Sequence, residues 1–130
     1  MNKIIYEAHF SIFGDSFNIT ELTELIKIEP TKITVRGEKG KYSFYKETSW
    51  NYIIESNKLY LEYATKTIFD VFNSKKEIIK RYINENNLKI KLEIIFNIYD
   101  SIVPSLYLEN YFIEFLNFLK CEVDFDGYIL

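Results

Sequence analysis

The sequence has few of the residues on which covalent or cofactor-dependent catalysis relies. Its 130 residues include one cysteine, Cys121, and one histidine, His9. A single cysteine excludes an internal disulfide, which fits a reducing compartment. Any Ser-His or Cys-His catalysis would have to use His9. The sequence therefore favours a non-enzymatic protein, and we predict no catalytic residues, no metal and no cofactor.

Long hydrophobic runs and an excess of positive charge are also missing. No stretch approaches the roughly 18 apolar residues that a transmembrane helix requires, and the opening MNKIIYEAHFSIFGD does not resemble a signal peptide. The net charge of −3 and the pI of about 5.3 disfavour binding to nucleic acid or to anionic membranes. We therefore expect a cytoplasmic protein that contacts no membrane.

The residues that are abundant indicate an ordinary globular chain. Hydrophobic residues make up 48% of the sequence, aromatic residues 18% and charged residues 27%. A chain of this length buries a sizeable core in one unit. We predict a single domain over residues 1–130.

The hydrophobic pattern predicts alternating strands and helices. Period-two alternation indicates strands, and apolar residues spaced three or four apart indicate helices. Two capping signals stand out, Asn18 with Glu21 and Ser74 with Glu77. We predict an α+β fold with a single mixed sheet of about five strands, helices packed mainly on one face, and the order β-α-β-β-α-α-β-α-β. The predicted strands include 4–12, 88–98 and 121–129, and the predicted helices include 61–72 and 109–119.

Acidic residues alternate along the last strand, EVDFDGYIL. Glu122, Asp124 and Asp126 share one side, whereas Cys121 shares the apolar side with Val123 and Phe125 and is expected to be buried. If the first, fourth and last strands are neighbours, a carboxylate-rich patch with one histidine forms. Hard cations prefer such oxygen ligands, but a solvated sheet face is the favoured interpretation. The further members of that patch would be Glu7, His9 and Glu93.

One region is basic, residues 31–48, with a local charge of +3 against −6 for the remainder of the chain. Aromatic residues interleave with its cations, a composition that can stack bases. The favoured interpretation is instead a hairpin with some aromatic side chains turned inward. The candidate ligand-binding residues are Arg36, Lys39, Lys41 and Trp50 here, with Asp124 and Asp126 from the last strand.

The last predicted helix carries two apolar rows. The second row, Tyr111, Phe115 and Phe118, exceeds the single stripe that one packed face requires. It either packs under the 31–48 loop or forms an interface with a partner, where exposed Tyr and Phe are favoured.

Several stretches together resemble a bacterial family known as domain of unknown function 4279. They are FSIFGDSFNITELTELIKIEPT at 10–31, RGE at 36–38, Trp50, and VDFDGY at 123–128. The resemblance implies a small α+β bacterial protein and brings no catalytic residues. It gives Asp126 particular weight, and we expect Asp126 to form hydrogen bonds with the Gly127 turn or the basic loop rather than to bind a metal.

Three functions follow from these observations. The favoured one is non-enzymatic binding of another macromolecule. Its most concrete form is a toxin-neutralising immunity protein, because an acidic surface suits a basic toxin. The second is a domain that binds a small ligand, metal or nucleotide through the polar sheet face and the 31–48 loop. The third is a structural homo-oligomer, with a homodimer formed through the last helix. The partner is expected to be a protein rather than a nucleic acid.

Overall fold

The computed structural model describes residues 3–130, so the first two residues of the predicted domain lie outside it. The predicted α+β class and element order are confirmed. The strands are β1 (Tyr6–Gly14), β2 (Lys32–Thr34), β3 (Thr48–Ser56), β4 (Lys89–Ile98) and β5 (Glu122–Ile129). The helices are α1 (Ile19–Ile26), α2 (Glu62–Phe72), α3 (Lys76–Glu85) and α4 (Asn110–Leu119), and a 3-10 turn (Asn73–Lys75) joins α2 to α3.

The five strands form one mixed sheet in the order β2-β3-β1-β4-β5. β1 is central and antiparallel to both β3 and β4, and β2 is antiparallel to β3. β5 is parallel to β4, so the chain must cross over between them, and α4 lies in that crossover. The two edges of the sheet are therefore β2 and β5.

The core lies on one face of this sheet. Tyr6, Ala8, Phe10 and Ile12 of β1 are completely buried, as alternation along the strand predicts. The ring of Phe10 meets Phe72 of α2 at a centroid distance of 4.5 Å and also stacks on a ring of α4. The helices cover this face, and the opposite face carries the polar side of each strand.

The cap at Asn18 forms as predicted. Its side-chain oxygen accepts a hydrogen bond of 3.0 Å from the backbone N–H of Glu21, which satisfies one of the free donors at the start of α1. The helix ends at Ile26 because Lys27 adopts a left-handed conformation with φ 60°. The chain therefore leaves α1 before it reaches Pro30.

The capping box predicted at Ser74 is wrong. The cap position of α3 is Lys75, and no side chain caps the helix there. Because Asn73 keeps a helical φ of −58° and ψ of −40°, the chain passes from α2 into α3 without the extended residue that an N-cap requires. The buried ring of Phe72, packed against Trp50, fixes this junction.

Within residues 3–130, no helix has the length and apolar character needed to cross a membrane.

Candidate functional site

The face of the sheet opposite the helices is the candidate site, and we call it the open face. It displays the polar side chains of all five strands. The strand registers bring these side chains into four rows that run across the sheet. Two rows make up one end of the open face and two make up the other, and the ends differ in charge.

One end, which we call the acidic end, carries five carboxylates and no lysine or arginine. In the first row Glu7 of β1 lies opposite Glu55 of β3, and Ile95 separates it from Asp126 of β5. The second row contains the other two carboxylates, on β4 and β5, with His9 and Ile53 beside them. Its order is Ile53, His9, Glu93 and Asp124.

The carboxylate-rich patch with one histidine thus forms, because β1, β4 and β5 are neighbours. The Nε2 atom of His9 lies 3.3 Å from Oε1 of Glu7. A lysine from the next row, Lys91, approaches Asp124 with an Nζ–Oδ2 distance of 3.9 Å. Among residues 3–130, these two contacts are the only ones that bring a basic side chain within 4 Å of the five acids, so most of the negative charge at the acidic end is not balanced locally.

The other end of the open face is polar and mildly basic. Its third row contains Lys32, Asn51, Ser11, Lys91 and Glu122, and its fourth contains Thr34, Ser49, Phe13 and Lys89. Hydrogen bonds link several of these side chains. The hydroxyl of Ser11 donates to Oδ1 of Asn51 at 2.6 Å, and the amide of Asn51 donates to the hydroxyl of Ser49 at 2.9 Å.

A shallow cavity of about 240 Å³ lies between the two ends. His9 and Glu93 line it on the acidic side, and Ser11, Asn51 and Lys91 line it on the polar side. The cavity offers both donors and acceptors but little apolar surface. Most small-molecule sites are deeper and largely apolar.

Asp126 has a different partner from the predicted one. Its Oδ2 accepts a hydrogen bond of 2.8 Å from the hydroxyl of Tyr128, two residues further along the same side of β5. That hydrogen bond and the charge of Asp126 raise the pKa of Tyr128, and the charge of Glu93 adds to the effect. Gly127 lies within the strand rather than in a turn, so the expected bond to a Gly127 turn was wrong.

The basic loop and the acids of β5 do not form one site. The 31–48 segment forms β2 and then a hairpin in which Lys39 bridges to Phe44. It lies beyond β3, so at least three interstrand spacings, about 14 Å, separate it from β5. Arg36, Lys39 and Lys41 therefore lie apart from Asp124 and Asp126. Periodicity could not show this, because it indicates which side of a strand a residue faces but not which strands are neighbours. The guanidinium of Arg36 instead lies 3.9 Å from Asp15.

The aromatic residues of this hairpin are mainly exposed. Tyr42 is 90% exposed and Phe44 is 64% exposed, whereas Tyr45 is partly buried. The segment is thus a hairpin, as one of the two interpretations proposed, but only Tyr45 is turned inward. The amide of Gly37, with φ 88°, donates to the carbonyl of Tyr45 at 2.9 Å and closes the hairpin.

Trp50 is a core residue and cannot contact a ligand at the surface. Its side chain is completely buried, and its Nε1–H donates a hydrogen bond of 3.1 Å to the hydroxyl of Thr23 on α1. The indole packs edge-on against Phe72. Its inclusion among the ligand-binding candidates was wrong because its position on β3 faces the helices.

The second apolar row of α4 packs inside the protein. Phe115 is 1% exposed and contacts Phe69 of α2 at a centroid distance of 5.7 Å, and Tyr111 contacts the same ring at 4.8 Å. The ammonium groups of Lys76 and Lys80, on α3, lie 5.0 and 4.5 Å from the ring of Phe118. This row therefore packs against α2 and α3 and not under the 31–48 loop, so that predicted role was wrong. Tyr111 and Phe118 remain partly exposed, and a role of this row at a partner or homodimer interface stays a prediction.

The helix-facing side of β5 is only partly covered. Cys121 and Val123 pack against the core, but Phe125 is 41% exposed and Ile129 is 86% exposed. Burial raises the pKa of the Cys121 thiol to about 12, although a hydrogen bond with the backbone of Leu92 acts in the opposite direction. The apolar side of β5 is thus less buried at Phe125 than at Cys121, in keeping with the position of β5 at the edge of the sheet.

Two residues at or next to the acidic end were not among the sequence candidates. Glu55 sits on the polar side of β3, and the alternation of that strand with Trp50 and Tyr52 contained the signal. Tyr128 follows Asp126 by two residues on β5, and the same period-two rule would have found it. The sequence did not show that β3 and β1 are adjacent strands, and it is this pairing that places Glu55 opposite Glu7.

Comparison with known proteins identifies the family. The family model "Domain of unknown function (DUF4279)" matches residues 3–130. The chain belongs to the DUF4279 family. The match confirms the resemblance stated from the sequence, and it covers the whole part of the chain that the structure describes. No curated protein and no solved structure matches this DUF4279 chain, and no group of three His, Cys, Asp or Glu side chains within residues 3–130 is arranged to hold a metal ion.

Proposed function

We propose that this DUF4279 protein is a non-enzymatic binding protein whose open face recognises a basic protein partner. The observation that carries the proposal is the acidic end, where five carboxylates share a surface that no helix or loop of residues 3–130 covers. Negative potential concentrated on one surface accelerates association with a positive partner and disfavours other partners. A toxin-neutralising immunity protein of a bacterium is the concrete form of this role.

The other face of the sheet is not available to a partner. It is filled by the molecule's own packing, since the rings of α2 and α4 contact each other and β1. The open face has a polar end and a charged end, so a partner with a matching charge distribution would bind it preferentially in one orientation. Sheets with one bare face are common in antiparallel folds, so the proposal rests on the unbalanced charge and not on the bareness alone.

The proposal is tested with matched charge variants. In the open-face variant Glu7, Glu93, Asp124 and Asp126 are replaced by the corresponding amides. In the control variant the same number of exposed helical acids is changed, namely Glu24, Glu77, Glu85 and Glu114 to Gln. Both variants have the same net charge, so a difference between them reports the position of the acids and not their number.

Tagged wild type and both variants are then expressed in the native host and recovered at low ionic strength. We expect wild type and the control variant to retain one basic protein in a constant molar ratio, and the open-face variant to lose it. If that partner, once purified, is a nuclease or another toxin, wild type should inhibit it at equimolar concentration. Equal recovery by all three proteins, or a monomer with no partner, would overturn the proposal.

A small-ligand function has one observation in its favour, the shallow polar cavity lined by His9, Ser11 and Lys91. Titration of isotope-labelled protein with AMP and with Mg²⁺ tests this second candidate. Saturable shifts confined to the amides around the cavity would support it. The absence of any shift at millimolar ligand would remove it and leave the binding-protein proposal unaffected.

A further inference from the structure

We infer that the outer edge of β5 accepts one additional strand, donated by an extended basic segment of the partner. This inference rests on the proposed function, because it specifies how the basic partner engages the open face. The added strand would continue the sheet beyond β5. Its cationic residues would alternate with apolar ones, for reasons that the backbone and the side chains of β5 provide separately.

The backbone of β5 has a free hydrogen-bonding edge. The N–H of Leu130 donates to the carbonyl of Ile98 at 3.0 Å, so even-numbered residues of β5 direct their peptide groups toward β4. Successive residues of a strand point their N–H and C=O groups to opposite sides. The odd-numbered residues therefore present theirs outward, and no backbone hydrogen bond within residues 3–130 satisfies them. They are Val123, Phe125, Gly127 and Ile129.

The side chains of β5 define the chemistry of a strand that would pair with it. On the open face it presents Glu122, Asp124 and Asp126, and an opposite charge directly across a strand pair is stabilising. On the other face it presents Phe125 and Ile129, both exposed. A matching strand thus places Lys or Arg on the open face and apolar residues on the helical side. Strand addition of this kind derives its affinity from main-chain bonds and its selectivity from alternate side chains.

The opposite edge of the sheet is less suited to the same role. β2 has only three residues, whereas β5 has eight. Next to β2, the N–H of Ile53 already donates to the hydroxyl of Thr31 at 3.0 Å, so a side chain occupies part of the edge of β3. Natural proteins commonly protect their edges by short strands and local capping. The long, uncapped edge at β5 is the one that an extended segment can use.

The charge of β5 disfavours a second copy of this chain as the occupant. If two copies pair antiparallel about Phe125, then Asp124 of one copy lies opposite Asp126 of the other. Pairing about Asp126 places that carboxylate opposite its own equivalent. Like charges directly opposite destabilise a strand pair. A basic strand meets no such repulsion, which is why we assign the edge to the partner.

The experiment uses isotope-labelled full-length protein and the synthetic peptide Lys-Val-Lys-Thr-Lys-Val-Lys with blocked ends. Amide hydrogen exchange is measured by NMR with and without the peptide. We expect exchange to slow by about tenfold at three of the outward amides, those opposite the two valines and the threonine, while amides that already bond to β4 change little. A peptide of the same composition with N-methylated valines and threonine should bind less and protect none of these three.

Two protein variants provide the controls. Ile129→Pro removes one outward N–H at a position that is 86% exposed and leaves the bonds to β4 in place, so the protein should fold and bind the peptide more weakly. Asp124→Asn with Asp126→Asn, on β5, should weaken peptide binding more than Glu7→Gln with Glu55→Gln, on β1 and β3. Far-UV circular dichroism confirms that each variant is folded.

The possible results distinguish failure of the inference alone from failure of the inference together with the proposed function. Peptide that shifts open-face resonances without protecting the outward amides overturns strand addition and leaves binding at the open face standing. Equal weakening by the two acid pairs does the same. Absence of both effects counts against the inference and against the proposed function together. Protection of the outward amides without peptide, with a doubled mass in light scattering, would assign the edge to a second copy and overturn the basic-strand assignment.

Discussion

Glu93 of β4 lies directly opposite Asp124 of β5 in the parallel strand pair, so two carboxylates stand side by side on the open face. Like charges in this position lower the stability of a sheet. The nearest cation, Lys91, reaches only Asp124, at 3.9 Å. The arrangement therefore lowers the stability of the folded chain. Such repulsion is consistent with the proposed role of the open face in attracting a positive partner.

The first prediction concerns this pair. At low ionic strength and about pH 8, Glu93→Gln should raise the free energy of unfolding by about 0.5 kcal/mol, because it removes the repulsion of Asp124. Urea denaturation measures the change. High salt should reduce the gain by screening the two charges. Glu24→Gln, on α1, serves as the control and should have no effect, and a loss of stability in Glu93→Gln at both salt concentrations would contradict the prediction.

The second prediction concerns Tyr6, whose hydroxyl joins two loops. It donates to the carbonyl of Ser105 and lies 2.9 Å from the carbonyl of Leu59, and the same two loops share a backbone bond of 2.9 Å between Ser105 and Leu59. Tyr6→Phe leaves the carbonyl of Ser105 without this donor, while the carbonyl of Leu59 keeps the amide of Ser105, so the substitution should lower the free energy of unfolding by about 1–3 kcal/mol. Tyr52→Phe is the matched control, because its hydroxyl makes no hydrogen bond within residues 3–130. Equal effects of the two substitutions in urea denaturation would show that the hydroxyl of Tyr6 does not stabilise the loops.

The third prediction concerns alkaline pH. Burial raises the pKa of the Cys121 thiol from 9.0 to about 12, and burial together with the charge of Glu62 raises the pKa of Tyr6 from 10.0 to about 12. The folded state thus holds both protons more tightly than the unfolded state does. Their contribution to stability is complete below about pH 9 and decreases as the pH rises toward 12.

Cys121→Ala separates the two groups. Between pH 9 and pH 10 the thiol of the unfolded chain ionises before its tyrosines do, so the variant should lose less stability than wild type over that interval. Urea denaturation at several pH values measures the slopes. Native Cys121 should also react slowly with a thiol reagent at about pH 8, and rapidly after unfolding. Identical slopes in the two proteins would refute the assignment to the thiol.

The fourth prediction concerns Gly127, which lies beside Phe96 in the β4–β5 pair. A Cβ atom at this position would overlap the ring of Phe96. Gly127→Ala should therefore destabilise the protein by about 1–3 kcal/mol through overpacking. The double variant with Phe96→Leu should recover part of that loss, and a double-mutant cycle measures the coupling. Strictly additive effects would show that the ring and the glycine do not restrict each other.

The faces of the elements could be predicted from the sequence, because alternation and capping are local. Residues Tyr6 to Ile12 alternate between buried and half-buried positions as their periodicity indicates, and the cap at Asn18 forms. Strand order could not be predicted, since the neighbours of a strand depend on tertiary packing. For that reason the alignment of Glu55 with Glu7 was not foreseen, and the basic hairpin was placed too close to Asp126.

Packing between helices was the other limit. The two apolar rows of α4 are visible in the sequence, but their partner, Phe69 of α2, cannot be identified from periodicity alone. Trp50 was misassigned for a related reason. An aromatic residue on an alternating strand can face a core or a ligand, and only the position of α1 and its Thr23 decides between them.

The unequal lengths of β2 and β5 also limit the size of any assembly that this sheet can build. Growth of a filament by edge-to-edge pairing requires each molecule to offer a usable strand on both sides. Here three residues stand on one side and eight on the other. Once a strand has paired with β5, the short β2 offers little edge for further pairing. The chain can therefore expose β5 without nucleating an open-ended fibre.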